Sequence, residues 1–331
     1  MNVAVLGAGA WGTAIAISMC ARHSVVLYAR SESQSGHLSR ARLNLRYLPT
    51  SPLPDALIVT HDFDRAVSHG TAGLTLIASP THGLRAMVRG MCQLAPEAPF
   101  VWLCKGFEQQ SGQLPHQIVE NECQLSGNSG PLSGPSFATE VALGLPTALT
   151  VAGAPDFCER VTAALHGGSL RIYSTDDVIG VEVGGAVKNI MAVATGISDA
   201  LELGLNARAA LITRGLAEMT RIGIALGARA ETFMGLTGIG DLVLTATSDL
   251  SRNRRVGLAL GRGTAAAAAV NDLGHVAEGV QSAHAVLACA RRFQISMPIT
   301  EAVCAVLDGA LTPSQALHAL LAREPKAEML R

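Results

Sequence analysis

Three charged groups stand out because their surroundings are apolar. Lys188 lies in Gly184-Gly185-Ala186-Val187-Lys188-Asn189, a glycine-rich stretch just past the middle of the chain. A lysine in such a setting loses hydration in its charged form, so it needs a partner or a task. Proton donation to a reacting oxygen is such a task, with the Asn189 amide beside it. Asp241, within GLTGIGDLVLT (235–245), has the complementary problem: its carboxylate needs a cation or hydrogen-bond donors. Capping a helix would satisfy it, and so would pairing with Lys188; Thr245 can join such a network. Lys105 follows directly on an apolar strand, Phe100–Cys104, and Gly106 keeps its turn open. That position suits a ligand, although an exposed Lys-Gly turn reads the same way in isolation. Ser251-Arg252-Asn253-Arg254-Arg255 is the densest basic cluster. Arg252 can grip a phosphate through two parallel hydrogen bonds, with Ser251 and Asn253 as further donors. A solvated helix start explains the cluster equally well.

The elements that must position these groups begin at the first residue. Asn2–Leu6 reads as an apolar strand, Thr13–Arg22 as a helix and Ser24–Ala29 as a second strand. Between the first two lies Gly7-Ala8-Gly9-Ala10-Trp11-Gly12, the spacing of a dinucleotide fingerprint. Gly7 permits the turn, Gly9 lets a pyrophosphate approach the backbone, and Gly12 lets helix and strand pack closely. Arg30 ends the second strand, where an arginine suits the 2′-phosphate of NADP(H) and an acidic residue would suit NAD(H). NADP(H) is therefore favoured and NAD(H) stays possible, Glu32 being close by. Leu57–Thr60 and Leu74–Ala78 read as further strands, the latter ending at Ser79-Pro80-Thr81-His82, a turn where His82 suits either a ligand contact or a local hydrogen bond. Asn44–Pro54 reads as a proline-punctuated loop. Gly134 and Ser136, in Leu132–Ala138, leave backbone amides and a hydroxyl free for a polar ligand. With Thr147–Ala152 and Leu170–Ser174 the sheet reaches about seven or eight strands, larger than the mean. From Asp176 the period is helical: Thr175 is expected to cap a helix through Lys188, and Asn206 a second one closed by Gly227. The expected fold class is α/β: a Rossmann-like dinucleotide-binding domain (1–180), then an all-α substrate domain (181–331).

Composition agrees. A chain of 331 residues with 49% hydrophobic and 15% charged residues can bury two domain cores. The net charge of −1 gives no broad field for nucleic acid or an anionic membrane. No apolar run reaches the length of a membrane span, and Met1 leads straight into a strand, leaving no room for a signal peptide. Seven scattered cysteines, without CxxC or Cys/His spacing, predict reduced core thiols, a cytoplasmic protein and no metal site.

Taken in order, GAGAWGTA (7–14), LCKGFE (103–108), SGPSFA (133–138), GGAVKN (184–189), NARAALITRGLAEM (206–219), GIGDLVLT (238–245) and SRNRR (251–255) resemble the soluble, bacterial-type NAD(P)-dependent glycerol-3-phosphate dehydrogenases over nearly the whole chain. The resemblance implies reduction of dihydroxyacetone phosphate to sn-glycerol 3-phosphate for glycerophospholipid synthesis. Lys188 matches the family's catalytic lysine and Lys105 a second active-site lysine, with Asp241, Thr245 and Asn189 in the same catalytic set. Substrate contacts match Lys105, Gly134, Ser136, Lys188, Asp241, Ser251, Arg252 and Asn253. Cofactor contacts match Gly7, Gly9, Ala10, Trp11, Gly12, Arg30, Lys105, Ala138, Arg252, Val276 and Glu278. Two positions depart: Ala10 replaces a serine common in the fingerprint, and Thr139 a charged residue. The expected partners are a small-molecule substrate and a second copy in a homodimer, without nucleic acid. Two rivals share the pattern: a two-domain dehydrogenase for a hydroxy acid or hydroxyacyl thioester, and a non-catalytic NADP-binding sensor.

Overall fold

The computed structural model describes residues 1–123, 127–272 and 277–324, and the chain changes character just past its midpoint. Its strands are β1 (Asn2–Leu6), β2 (Ser24–Tyr28), β3 (Leu43–Asn44), β4 (Leu48–Pro52), β5 (Ile58–Thr60), β6 (Leu74–Ile77), β7 (Phe100–Trp102), β8 (Ser129–Ser133), β9 (Thr147–Ala152) and β10 (Leu170–Thr175). Eight form one sheet in the order β10-β9-β8-β7-β6-β1-β2-β5. All its pairings are parallel except β8 with β9. β3 and β4 pair apart from it, so the expected proline-punctuated loop contains a short antiparallel ribbon. After Thr175 the described residues contain no strand. A Rossmann-like sheet domain is thus followed by a helical one, as the periodicity predicts.

The sheet strands are apolar runs because both faces are covered. Side chains alternate between two clusters: Val25 and Leu27 enter one, Val26 and Tyr28 the other. β1 is flanked by β2 on one side and β6 on the other, so strand order reverses at β1. Ligands of such sheets bind beyond the carboxyl ends at that reversal. Gly7, Ser79 and the segment leading to Lys105 all lie beyond these ends.

A third cluster fills the helical half around helix Val178–Ala200, in which every residue from Gly180 to Ser198 is buried. This helix is the exception to the expectation about apolar runs. It is long and apolar enough to cross a membrane, but 89% of its most apolar window is buried inside the protein. Helix Arg252–Gly261 crosses it closely because a Cβ at Gly196 would collide with the Arg254 carbonyl, and one at Gly257 with that of Val193. Phe107 and Leu114, on the loop after Lys105, are buried in this same helical cluster. The loop bearing Lys105 is therefore clamped between the two halves.

Three local expectations are corrected. The long helix is capped by Asp177, not Thr175: its carboxylate accepts from the Gly180 amide at 2.9 Å and from Arg229 N and Thr232 Oγ1. Helix Gly204–Ala225 begins ahead of Asn206, so Asn206 is no cap. The cysteines are not all free: Cys92 and Cys123 form a disulfide, with Cα atoms 6.0 Å apart. Helices Thr81–Leu94 and Pro115–Glu122 bring them together, held by Arg85 and Arg89 on Glu122. Such a contact between distant segments leaves no spacing signal.

Candidate active site

Lys188, Lys105, Asp241 and Thr245 meet at one point. Lys188 Nζ donates to Asp241 Oδ1 at 2.6 Å and to Thr245 Oγ1 at 3.0 Å. Lys105 Nζ donates to the other oxygen, Oδ2, at 2.7 Å and to the Gly134 carbonyl at 3.1 Å. Asp241 is only 1% exposed and Lys188 7%, so one buried carboxylate bridges two ammonium groups. The pairing with Lys188, one of two roles open from sequence, is the one realised.

Both glycines before Lys188 serve this arrangement. A Cβ at Gly184 would collide with the Thr237 carbonyl, so Gly184 admits the π-helical turn Leu236–Gly240 that delivers Asp241. One at Gly185 would lie 3.3 Å from Lys105 Cγ and 3.2 Å from Ser133 Oγ. Gly106, with φ 154°, has no room for a side chain because Ser282 Oγ fills the space. Burial pushes the Lys188 ammonium down to about 8, and Lys105 adds to that; Asp241 and Glu278 oppose it. Burial alone would raise the Asp241 carboxyl, but the two lysines hold it below its ordinary value.

The basic cluster divides by direction. Arg252 is exposed at the first residue of its helix. Arg254 turns inward to Asp199 at 2.7 Å and Asp249 at 2.5 Å. Ser251 caps the helix, accepting from the Arg254 amide at 3.2 Å. Asn253 donates to Asn189 Oδ1 at 3.0 Å and accepts from the Gly279 amide at 3.0 Å. Asn189 donates to the Gly185 carbonyl at 3.3 Å. Asn189 is therefore not among the groups brought to Asp241; it braces Asn253. Burial raises the Glu278 carboxyl, opposed by Arg252, Lys105 and Lys188 and by the Lys105 amide, which donates to it.

The fingerprint has the geometry its spacing predicts. Gly7 has φ 128°, and a Cβ there would lie 2.7 Å from the Ala78 carbonyl. One at Gly12 would collide with the Gly7 carbonyl, whereas one at Gly9 meets nothing within 4 Å. Helix Ala10–Met19 starts inside the fingerprint, ahead of the expected Thr13, so its first amides face the same open space. Trp11 Nε1 donates to Ser136 Oγ at 3.2 Å and to its carbonyl at 3.3 Å. Ser136 Oγ donates to the Gly134 carbonyl at 3.1 Å, which also takes Lys105. Ala138 opens the short helix Ala138–Ala142. Arg30 is exposed just beyond β2, and His82 is exposed in the first turn of its helix. Val276 lies outside the described residues. Sequence reasoning missed Asn44, which donates to the Ala8 carbonyl at 3.1 Å and to Thr13 Oγ1 at 2.7 Å, bracing the fingerprint from a distant ribbon.

The open cradle at Gly9 and the exposed Arg30 fit a dinucleotide. Hydrogen bonds through Trp11, Ser136 and the Gly134 carbonyl link this cradle to the cluster that Lys105, from the end of β7, forms with the helix-borne Lys188 and Asp241. That pairing defines the class: a two-domain nicotinamide-dependent dehydrogenase. Residues 2–157 match the profile of the NAD-dependent glycerol-3-phosphate dehydrogenase N-terminus, and residues 177–318 that of its C-terminus. The chain belongs to the NAD-dependent glycerol-3-phosphate dehydrogenase family. It is 56% identical to a glycerol-3-phosphate dehydrogenase (NAD(P)+) of Burkholderia orbicola (strain MC0-3), covering 99% of this chain and 100% of the relative. The crystal structure of glycerol-3-phosphate dehydrogenase from Coxiella burnetii superposes with TM-score 0.92 at 41% identity, over 97% of this chain and 98% of that one. The Saccharomyces cerevisiae enzyme gives TM-score 0.79 at 25% identity, over 96% and 98%.

Proposed function

We propose that this chain reduces dihydroxyacetone phosphate to sn-glycerol 3-phosphate, reversibly, and so feeds glycerophospholipid synthesis. The observation that carries this is the buried Asp241 carboxylate shared by Lys188 and Lys105, beside the open fingerprint. The nicotinamide cofactor, held by Gly7–Gly12, Arg30 and Ala138, supplies the hydride when bound. Lys188, as an ammonium, stabilises charge developing on the ketone oxygen and gives it a proton from Nζ. In the reverse direction its neutral amine takes the alcohol proton. Asp241 and Thr245 aim Lys188, and Lys105 adds positive charge beside the carbonyl. Arg252 takes the substrate phosphate, while Asn189 and Gly279 set Asn253 next to it. Binding energy at the phosphate thereby orients the carbonyl. This reading assigns the cofactor to a domain of residues 1–180 and the substrate to a helical domain of residues 181–331, with helix Val178–Ala200 spanning their junction; a cytoplasmic homodimer completes it.

The pH profile tests the acid. Lys188 at about 8 is lowered from its ordinary 10.5, so the protonated form needed for reduction is lost as pH rises through about 8. kcat/KM for reduction is expected to be flat below that value and to fall about tenfold per pH unit above it. Oxidation of glycerol 3-phosphate should rise through the same range. A reduction profile with no limb below the ordinary lysine range would count against Lys188 as the acid.

Arg30→Ala should weaken NADPH binding by about tenfold or more, through loss of a charge-assisted contact, and leave NADH nearly unchanged. Equal losses for the two cofactors, measured by fluorescence titration, would mean Arg30 does not read the 2′-phosphate.

A further inference from the structure

Glu182 stands on the Lys188 helix, six residues ahead of the lysine, and is 5% exposed. Its carboxylate touches nothing in the lysine cluster. Oε1 accepts from Trp102 Nε1 at 2.9 Å and from the His116 amide at 2.8 Å. Oε2 pairs with His116 Nδ1 at 2.6 Å. Both partners come from the sheet half. Trp102 ends β7, three residues before Lys105, and His116 lies in the first turn of helix Pro115–Glu122.

Trp102 and His116 bracket the segment that carries Lys105. Between them the loop inserts Phe107 and Leu114 into the helical cluster. One buried carboxylate thus ties both ends of the Lys105 segment to the helix that carries Lys188. Burial pushes the Glu182 carboxyl up, opposed by His116 and Trp102; burial alone would lower His116, but Glu182 holds it above its ordinary value. A group so costly to bury is expected to hold something in place, since apolar side chains would fill the same volume more cheaply.

We propose that Glu182 is a positioning residue for the reaction: it sets the Lys105 segment against the Lys188 helix so that both ammonium groups reach Asp241. The proposal rests on the reading of that cluster as the proton-donating site. Glu182 contacts neither substrate nor cofactor and acts through the two lysines. Small misplacements at a reacting centre cost large factors in rate, so loosening this tie should appear in kcat before it appears in cofactor binding.

The test compares Glu182→Gln and Glu182→Ala with the wild type. Glutamine keeps the volume and can still accept from Trp102 and the His116 amide, but loses the charge. Expected for Glu182→Gln is a fall of about tenfold in kcat with dihydroxyacetone phosphate, an NADPH dissociation constant within about twofold of the wild type, and a displaced high-pH limb. Glu182→Ala should lose more, so that the conservative variant is a partial rescue. Competitive acetylation of Lys188 across pH, read by mass spectrometry, follows its titration without turnover. It decides the proposal even if the wild type does not use dihydroxyacetone phosphate, which would instead defeat the substrate reading. Should Glu182→Ala fail to fold, Glu182→Gln alone is decisive. A lowered thermal midpoint with wild-type kcat and an unmoved Lys188 titration would assign Glu182 to stability only and overturn the proposal.

Discussion

Replacing Lys188 with methionine is expected to lower turnover of dihydroxyacetone phosphate by about 10²–10⁴, the range contributed by a positioned general acid. NADPH should still bind, because the fingerprint, Arg30 and Trp11 do not depend on the lysine. Methionine is unbranched and apolar, so it fills the buried volume without stranding a charge there. Asp241 keeps Lys105 at 2.7 Å as its counter-ion, and the fold should therefore survive. Equal turnover in the variant would remove Lys188 from the chemistry. A non-catalytic cofactor-binding sensor would instead show NADPH binding without turnover in wild type and variant alike.

Asp241→Asn should have the second largest effect, of a different kind. The carboxylate is the shared counter-ion of two ammonium groups, at 2.6 and 2.7 Å. Without it Lys188 loses the attraction that opposes its desolvation, while the repulsion from Lys105 remains. Its titration therefore moves below about 8, and the high-pH limb of reduction moves down with it. Breaking a buried pair by removing one partner costs about 3–5 kcal/mol, so the thermal midpoint should fall as well. A variant with the limb unmoved would show that Asp241 does not set the Lys188 charge.

The parts legible in sequence are those where local geometry demands one residue type. Gly7 and Gly12 are readable because any side chain there would strike backbone. Lys188 and Asp241 are readable because a charge in apolar surroundings needs a partner, although only the fold chooses that partner from the alternatives. Arg252 is singled out in SRNRR as a phosphate grip, but nothing local in that stretch marks Arg254 as buried. Their separation into an exposed arginine and a buried one depends on Asp199 and on the close crossing at Gly196 and Gly257, which distant segments supply. The same holds for Glu182, Asn44 and the Cys92–Cys123 pair, each bound to a segment far away in sequence. Thr175 and Asn206 fail as caps for different reasons. Thr175, Asp176 and Asp177 are all polar, and tertiary partners, Arg229 and Thr232, select Asp177. The second helix simply begins at Gly204, ahead of Asn206.

Reduction of a triose phosphate ketone by a lysine acid can be observed directly in one assay. Wild-type protein is mixed with NADPH and dihydroxyacetone phosphate, and in parallel with a keto acid and a 3-ketoacyl thioester, while loss of reduced-nicotinamide absorbance is followed. Rapid oxidation with dihydroxyacetone phosphate alone, yielding sn-glycerol 3-phosphate, is the predicted result. No rate with the triose phosphate, or a faster one with either rival substrate, would contradict it.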